Sequence, residues 1–262
     1  MSGSRNWVFL GDSLTEGVGT KRISHVAELA KQLHATEIRS RDKHALKAQV
    51  KSNMAGLRIW NLACEGKTIE SDFEWLPFIG ELQPELVVIF RGSLESIIRP
   101  AMVSDANWPW WVPQSWRNYS AMDPRCYFST TWWRKAKQTS VDALKQKARL
   151  KLLHARPGRP LIDLDTFAAY QTKLIKQLQD FGTRVIVLGL LPVDDDRFPG
   201  STEQFKSVNA RLQRIADAAG VEFFDWASQL NGGELFYRDG FHPNEAGAIA
   251  LAKILRERLY PT

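Results

Sequence analysis

The first residues in the sequence that could carry out chemistry are Gly-Asp-Ser-Leu at positions 11–14, directly behind the apolar run Trp7–Leu10. Such a run predicts a β-strand, and the glycine behind it predicts a sharp turn. Ser13 then begins the next element, and the N-terminus of a helix stabilises negative charge. A serine in this place is either a nucleophile or a helix N-cap. These four residues alone do not decide between the two.

A nucleophilic serine needs a base, and the chain has five histidines. His242 follows Asp239 by three residues, in Asp-Gly-Phe-His-Pro. Asp-Gly favours a turn and Pro243 favours the start of a helix, so both side chains can project from one loop. A carboxylate beside an imidazole fixes its tautomer and lets it deprotonate a serine. The other four fall in helical patterns or a basic segment, and we interpret them as ordinary solvated or core histidines: His25, His34, His44 and His154.

The segments around these residues alternate between β-type and helical patterns. This alternation predicts an α/β fold, which we interpret as a flavodoxin-like, three-layer, doubly wound parallel sheet of five strands. Functional groups in such sheets meet beyond the carboxyl ends of the strands, where Ser13 is expected. The predicted strands are Trp7–Leu10, Leu57–Ala63, Leu86–Phe90, Arg184–Leu191 and Val221–Trp226. The predicted helices cover 22–34, 140–154, 163–181, 202–219 and 244–259.

The composition fits one domain over residues 1–262, since 44% hydrophobic residues suffice for one large core. Two cysteines, Cys64 and Cys126, make no disulfide framework and indicate a reducing compartment. No secretory signal or membrane-spanning run is found, so we expect a cytoplasmic protein without a transmembrane segment. We expect no metal and no cofactor, and Gly17–Lys21 lacks the spacing of a nucleotide-binding loop. The oligomeric state is left open.

A Trp-rich insertion interrupts the alternation at about residues 100–160 and holds six of the ten tryptophans. Nine Lys/Arg and one acid lie between Arg134 and Arg159, which accounts for the positive net charge of +6. We predict that the insertion forms a lid without a second core. Its aromatic residues either pack that lid or form a platform for sugar rings or an acyl chain. The charge favours an anionic substrate and permits peripheral membrane contact, and with no recognition motif we expect no nucleic-acid partner.

These motifs resemble the SGNH, or GDSL, hydrolase family over the whole chain except the insertion. Residues 11–14 are similar to its first block, Asn61 to Gly66 to its second, and Asp239-x-x-His242 to its last. The resemblance implies Ser13 as the nucleophile, His242 as the base and Asp239 as its orienting acid. It also implies an oxyanion hole from the backbone N–H groups of Ser13 and Gly66.

The third block departs from the family pattern of Gly-x-Asn-Asp. The chain reads Arg91-Gly92-Ser93-Leu94-Glu95, so Leu94 stands where the asparagine would supply a third oxyanion donor. Loss of one such donor typically costs ~10²–10³ in rate. Either a neighbouring side chain (Arg91, Ser93 or Arg99) replaces it, or two backbone amides suffice, or the site is degenerate. For Arg91 the alternative to a role at the site is an ion pair with Glu95.

The sequence therefore predicts a serine esterase that cleaves an acetyl or acyl ester of a carbohydrate or lipid through an acyl-enzyme on Ser13. The substrate class is a small-molecule, glycan or lipid ester. One alternative is acyl transfer to a glycan hydroxyl, with the insertion excluding water. The other is a non-catalytic glycan- or lipid-binding protein on a degenerate hydrolase fold, an idea prompted by Leu94.

Overall fold

A computed structural model describes residues 5–20, 23–39, 43–50, 56–100, 108–117, 120–230 and 233–260. Its centre is a parallel sheet of six strands: β1 (Arg5–Gly11), β2 (Thr36–Arg39), β3 (Leu57–Asn61), β4 (Leu86–Phe90), β7 (Arg184–Leu188) and β8 (Glu222–Phe224). The spatial order is β2-β3-β1-β4-β7-β8. Without the edge strand β2, this is the flavodoxin order 2-1-3-4-5. Ligands bind such sheets beside the first strand, where the order reverses, and here that point lies between β1 and β4.

The prediction of five strands is wrong by one, because the sheet has a further strand, β2, where the sequence predicted none. Its four residues pair with β3 on one side, and Ile38 alone among them is buried. A short, charged strand of this kind is typical of a sheet edge. It therefore lacks the apolar run from which the other strands were predicted.

Helices cover both sides of the sheet. α2 (His25–Gln32) packs on α9 (Glu245–Leu259), and α7 (Leu164–Gln179) packs on α8 (Ser201–Ala219). The remaining helices are α1 (Ser13–Glu16), α3 (Lys43–Val50), α4 (Leu76–Leu82) and α5 (Ser93–Ser96) on the main body, and α6 (Trp132–Ala155) in the insertion. None of the helices in the described ranges combines the length and apolar character that a membrane crossing requires.

The insertion has a small apolar cluster of its own, so the prediction that it lacks a second core is wrong. Val112 and Met122 pack on Ala148 and Leu152 of α6, and three tryptophans pack against them: Trp108, Trp111 and Trp116. A two-stranded antiparallel ribbon, β5 (Arg99–Pro100) with β6 (Gly158–Arg159), joins the two ends of this region. Residues 101–107 and 118–119 lie outside the described ranges.

Candidate active site

Ser13 is the first residue of α1, immediately beyond the carboxyl end of β1. The side chain that caps α1 is that of Asp12, whose Oδ1 accepts the Leu14 N–H at 2.9 Å. The Ser13 hydroxyl is thus not needed as the cap, which was the alternative role considered for it. The turn requires glycine at position 11, because a Cβ there would lie 2.0 Å from the Thr15 Oγ1. The motif therefore folds into a turn that places Ser13 beyond the carboxyl ends of the strands.

The last loop brings His242 and Asp239 to the same edge of the sheet. The His242 Nε2 lies 3.0 Å from the Ser13 Oγ, and the His242 Nδ1 lies 2.7 Å from the Asp239 Oδ2. The other carboxylate oxygen of Asp239 accepts the backbone N–H groups of Phe241 and His242, each at 3.1 Å. Because the carboxylate is an acceptor, Nδ1 carries the proton and Nε2 is left to accept the serine proton.

The loop after β3 lies beside the turn that holds Ser13. The Cys64 N–H donates to the Gly11 carbonyl at 3.1 Å, so the sheet's pairing continues into this loop. Gly66 has a φ of +70°, which disfavours any other residue there. A Cβ built at this glycine would have no atom within 4 Å, so the space where a side chain would lie is open.

Charged side chains hold this loop on both sides of Gly66. The Glu16 carboxylate accepts the Glu65 N–H, and the Arg91 Nη1 donates to the Lys67 carbonyl at 2.6 Å. Further along, the Glu95 Oε1 accepts the Ile69 N–H at 2.7 Å. We call these three contacts the loop clamp. They fix the peptide groups around Gly66 to α1 and to the segment after β4.

Arg91 is buried and makes an ion pair with Asp72, not with Glu95 as the alternative from the sequence had it. Its Nε donates to the Asp72 Oδ2 at 2.8 Å and its Nη2 to the Asp72 Oδ1 at 2.5 Å. Arg91 is therefore committed to Asp72 and Lys67. Glu95 instead accepts the Ile69 and Gly92 N–H groups, and burial raises the pKa of its carboxyl to about 7 although the Arg91 charge acts in the opposite direction.

At the position of the family's asparagine, Leu94 offers no side-chain donor. Its carbonyl accepts the Arg99 Nη1 at 3.1 Å, and its backbone N–H interacts with the Asp12 carboxylate. Burial raises the pKa of Asp12, an effect that the charge of Arg91 opposes. Arg99 itself binds Asp123 in the insertion, so a second of the three candidate donors is also engaged. The third, Ser93, is the buried first residue of α5.

A cysteine from the insertion completes this neighbourhood, although no feature of the sequence indicated it. The Cys126 Sγ, an Asp239 carboxylate oxygen and a His242 ring nitrogen all lie within 4.8 Å of one another. Burial, reinforced by the negative charge of Asp239, raises the pKa of Cys126 to about 12, so the thiol is neutral. Three such groups could ligate a metal ion. However, the Nδ1 and Oδ2 already share a hydrogen bond, so the arrangement fits a Ser-His-Asp relay better.

None of the other histidines whose side chains the structure describes takes part in this relay. His25 is buried against Trp226 and Phe90, and desolvation lowers its pKa to about 3. His34 and His154 lie in the loop after α2 and at the end of α6, and the side chain of His44 is outside the described part of the chain.

A cavity of about 650 Å³ borders the loop that carries Asp239 and His242. Arg238 and Gly240 line it on either side of Asp239, together with Arg197 and Tyr237. Its other walls are Pro192, Val193, Asp194, Leu230 and Phe236. The Arg238 guanidinium lies 4.3 Å from the centre of the Phe128 ring, which ties the cavity's rim to the insertion.

Known proteins with this fold include esterases. The structure of TesA matches with a TM-score of 0.56 at 15% identity, covering 98% of this chain and 99% of that one. A catalytic mutant of Axe2, an acetylxylan esterase from Geobacillus stearothermophilus, matches with a TM-score of 0.57 at 15% identity, covering 98% and 95%. The lipase/acylhydrolase from Enterococcus faecalis matches with a TM-score of 0.55 at 16% identity, covering 97% and 95%.

A search of curated proteins finds no significant match to the sequence. The model of the GDSL-like lipase/acylhydrolase family, in contrast, matches residues 9–249, which include all the residues of the relay. The chain therefore belongs to the GDSL-like lipase/acylhydrolase family and is a carboxylic ester hydrolase.

Proposed function

We propose that the protein is a serine esterase that works through an acyl-enzyme on Ser13. The observation that carries this proposal is the hydrogen-bonded relay from Ser13 Oγ to His242 Nε2 at 3.0 Å and from His242 Nδ1 to Asp239 at 2.7 Å. A purely binding protein has no need of this alignment. The relay therefore favours catalysis over the alternative of a degenerate hydrolase fold.

In the first half of the reaction, the Ser13 Oγ attacks the ester carbonyl carbon while His242 Nε2 takes the hydroxyl proton. The carbonyl π electrons move to oxygen and give a tetrahedral oxyanion. Asp239 stabilises the resulting imidazolium without accepting its proton. The C–O bond to the alcohol then breaks, the imidazolium returns the proton to the departing oxygen, and the acyl group remains on Ser13.

In the second half, water attacks the acyl carbon and gives its proton to His242 Nε2. The tetrahedral intermediate collapses, the Ser13 Oγ leaves with that proton, and the carboxylic acid departs. The same relay serves both halves because each half begins with a neutral imidazole that accepts a proton at Nε2 and ends when that proton passes to the leaving oxygen.

The oxyanion is proposed to bind to the backbone N–H groups of Ser13 and Gly66. Ser13 begins a helix, where first-turn N–H groups lack intrahelical partners and attract negative charge. Gly66 lies in the loop held by the clamp, and donors fixed in advance stabilise a developing charge most effectively. We propose that this rigidity compensates in part for the donor missing at Leu94.

The substrate proposed is an acetyl or acyl ester of a carbohydrate or a lipid. Two kinds of structural neighbour support this range, an acetylxylan esterase and a lipase/acylhydrolase. The cavity beside Asp239 adds a preference for anionic substrates. Arg197 in its lining is paired with Asp194 at 3.2 Å, and Arg238 leaves the lining with one positive charge in excess. The insertion is proposed to act as a lid, since Cys126 and Phe128 reach the loop of His242.

The decisive experiment combines p-nitrophenyl acetate hydrolysis with a fluorophosphonate probe. The wild-type protein is expected to release p-nitrophenol and acetic acid, and to gain the probe's mass on the peptide that contains Ser13. Ser13→Ala is expected to lose both signals with an unchanged circular dichroism spectrum. The matched control is Ser207→Ala, because Ser207 is an exposed residue of α8 whose hydroxyl donates to the Glu203 carbonyl. More than a few per cent residual activity in Ser13→Ala would refute the assignment, and transfer to an added glycan instead of water would identify an acyltransferase.

A further inference from the structure

The first two turns of α6 protrude from the body of the protein. Every residue from 131 to 137 is exposed, including Trp132 at 80% and Trp133 at 51%. The far half of the same helix is anchored, since Ala148 and Leu152 belong to the insertion's apolar cluster. We call residues 132–137 the α6 tip. Two tryptophans thus lie in water on a helix whose other end is well packed.

The α6 tip is also basic without local compensation. It carries Arg134, Lys135 and Lys137, and the sequence has no Asp or Glu between Asp123 and Asp142. The Arg134 guanidinium lies 5.0 Å from the centre of the Trp133 ring, so charge and aromatic surface are presented together. Cations in the first turns oppose the helix dipole, and the side chain of the N-cap residue, Thr131, makes no capping hydrogen bond. These residues therefore lower the stability of the helix, so binding to a partner explains their presence better than helix stability does.

We propose that the α6 tip docks on an anionic lipid bilayer. Tryptophan concentrates at the membrane–water interface because its ring is apolar while its N–H can bond to water or headgroups. Lysine and arginine beside it are attracted by anionic headgroups, each by about fivefold in partitioning. A protein partner explains the lysines less well, since protein interfaces are depleted in lysine. A neutral glycan would explain the tryptophans but not the three cations.

Contacts connect the α6 tip to the candidate active site. Next to the tip, the Gln138 Oε1 accepts the Ser129 N–H at 2.8 Å. The segment before Ser129 holds Phe128, which stacks with Arg238, and Cys126, which approaches Asp239. Docking would thus place the rim of the site near the bilayer and favour lipid esters. That consequence rests on the proposed function, whereas the docking itself does not.

The test is co-sedimentation of the full chain with sucrose-loaded vesicles. Vesicles of phosphatidylcholine with about 30% phosphatidylglycerol are expected to bind at least about tenfold more strongly than phosphatidylcholine alone, and salt of about 0.5 M should weaken this binding. Replacing Arg134, Lys135 and Lys137 together by glutamine is expected to lower partitioning on the order of 100-fold. Replacing Trp132 and Trp133 together by alanine should lower it at least about tenfold.

The matched control is Trp110→Ala, which removes a ring that is 91% exposed. Its neighbour Trp111 contacts Lys151, near the opposite end of α6, so this variant should bind vesicles like the wild type. All variants should keep their helix content and their rate on soluble p-nitrophenyl acetate, so a failed docking test is distinguishable from a failed esterase assignment. Equal binding to both vesicle types, an equal loss in Trp110→Ala, or binding to an anionic polysaccharide but not to vesicles would overturn the proposal.

Discussion

Replacing Arg91 distinguishes two possible roles of this residue: holding the loop of Gly66 in place, or donating directly to the reacting oxygen. Arg91 and Asp72 are 1% and 0% exposed, so Arg91→Ala would leave a carboxylate buried without its partner. Removing one member of a buried ion pair typically costs about 3–5 kcal/mol. A domain of this size loses about 2–4 °C in Tm per kcal/mol, so we expect a decrease of roughly 10 °C.

The same substitution should also lower kcat, because the Arg91 Nη1 holds the Lys67 carbonyl next to Gly66. We expect a loss of about tenfold from the less ordered loop, as a small misplacement of catalytic groups is costly. Arg91→Lys keeps the charge but not the planar fork, so it should lose less stability and a similar part of kcat. Combining Arg91→Met with Asp72→Leu should recover part of the stability, because Asp72 is no longer stranded while Asp12 and Glu95 still lose the Arg91 charge. It should not recover kcat.

Urea unfolding followed by circular dichroism, together with saturation kinetics on p-nitrophenyl acetate, measures both effects. Arg5→Ala is the control, because Arg5 pairs with an exposed Glu85 and should change stability by less than about 1 kcal/mol. If Arg91→Ala kept the wild-type Tm while kcat fell tenfold, Arg91 would donate to the reacting oxygen and would not act by holding Asp72 and the Lys67 carbonyl. Full recovery of kcat in the double variant would refute the role assigned to the contact with Lys67.

Three further outcomes are expected. Asp239→Asn should lower kcat by about 10³–10⁴-fold, because an amide N–H would face the Nδ1 and favour the wrong tautomer of His242. A loss of less than tenfold in stopped-flow hydrolysis would contradict this. Leu94→Asn should raise kcat at least about tenfold if its amide reaches the oxyanion, and an unchanged kcat would mean that two backbone donors are enough. Burial lowers the pKa of His25 to about 3. Below about pH 6.5 the unfolded chain therefore binds a proton at His25 and the folded chain does not, so the free energy of unfolding falls with decreasing pH. His25→Phe should therefore reduce the difference in unfolding free energy between pH 7 and pH 4.5 by roughly 2–3 kcal/mol, and an unchanged difference in urea titrations would refute the assignment.

The sequence predicted the buried parts of the fold well and its edges poorly. Leu86–Phe90 is β4 to the residue, because a fully buried strand is a plain apolar run. The predicted strand 184–191 ends instead at Leu188, since the chain turns away at Gly189, whose carbonyl accepts the Trp226 Nε1. β2 was missed because only one of its four residues is buried. Helix α6 begins eight residues before the predicted 140, where no apolar periodicity marks it.

For the candidate site, residue types and local spacing indicated the members of the relay but not what surrounds them. Ser13 and the Asp239–His242 pair lie in short motifs, whereas their convergence requires the sheet. Cys126 and Asp72 carry no local signal: one reaches the site from the insertion, and the other lies in a 3₁₀-helix 19 residues before Arg91. The partner of Arg91 could not be chosen by proximity in sequence, which favoured Glu95.

The segment after β4 has a different use in this chain from the one expected of its family. Its asparagine is replaced by Leu94, yet its two charged residues both hold the Gly66 loop, Arg91 through the Lys67 carbonyl and Glu95 through the Ile69 N–H. Glu95 also accepts the Gly92 N–H, at the residue whose φ of +118° turns the chain away from β4. A donor contributes to catalysis only as far as its position is fixed before charge develops. We therefore propose that this segment holds a backbone donor in place and does not supply a side-chain donor. For this reason the Arg91 variants should change kcat without any contact between Arg91 and the substrate.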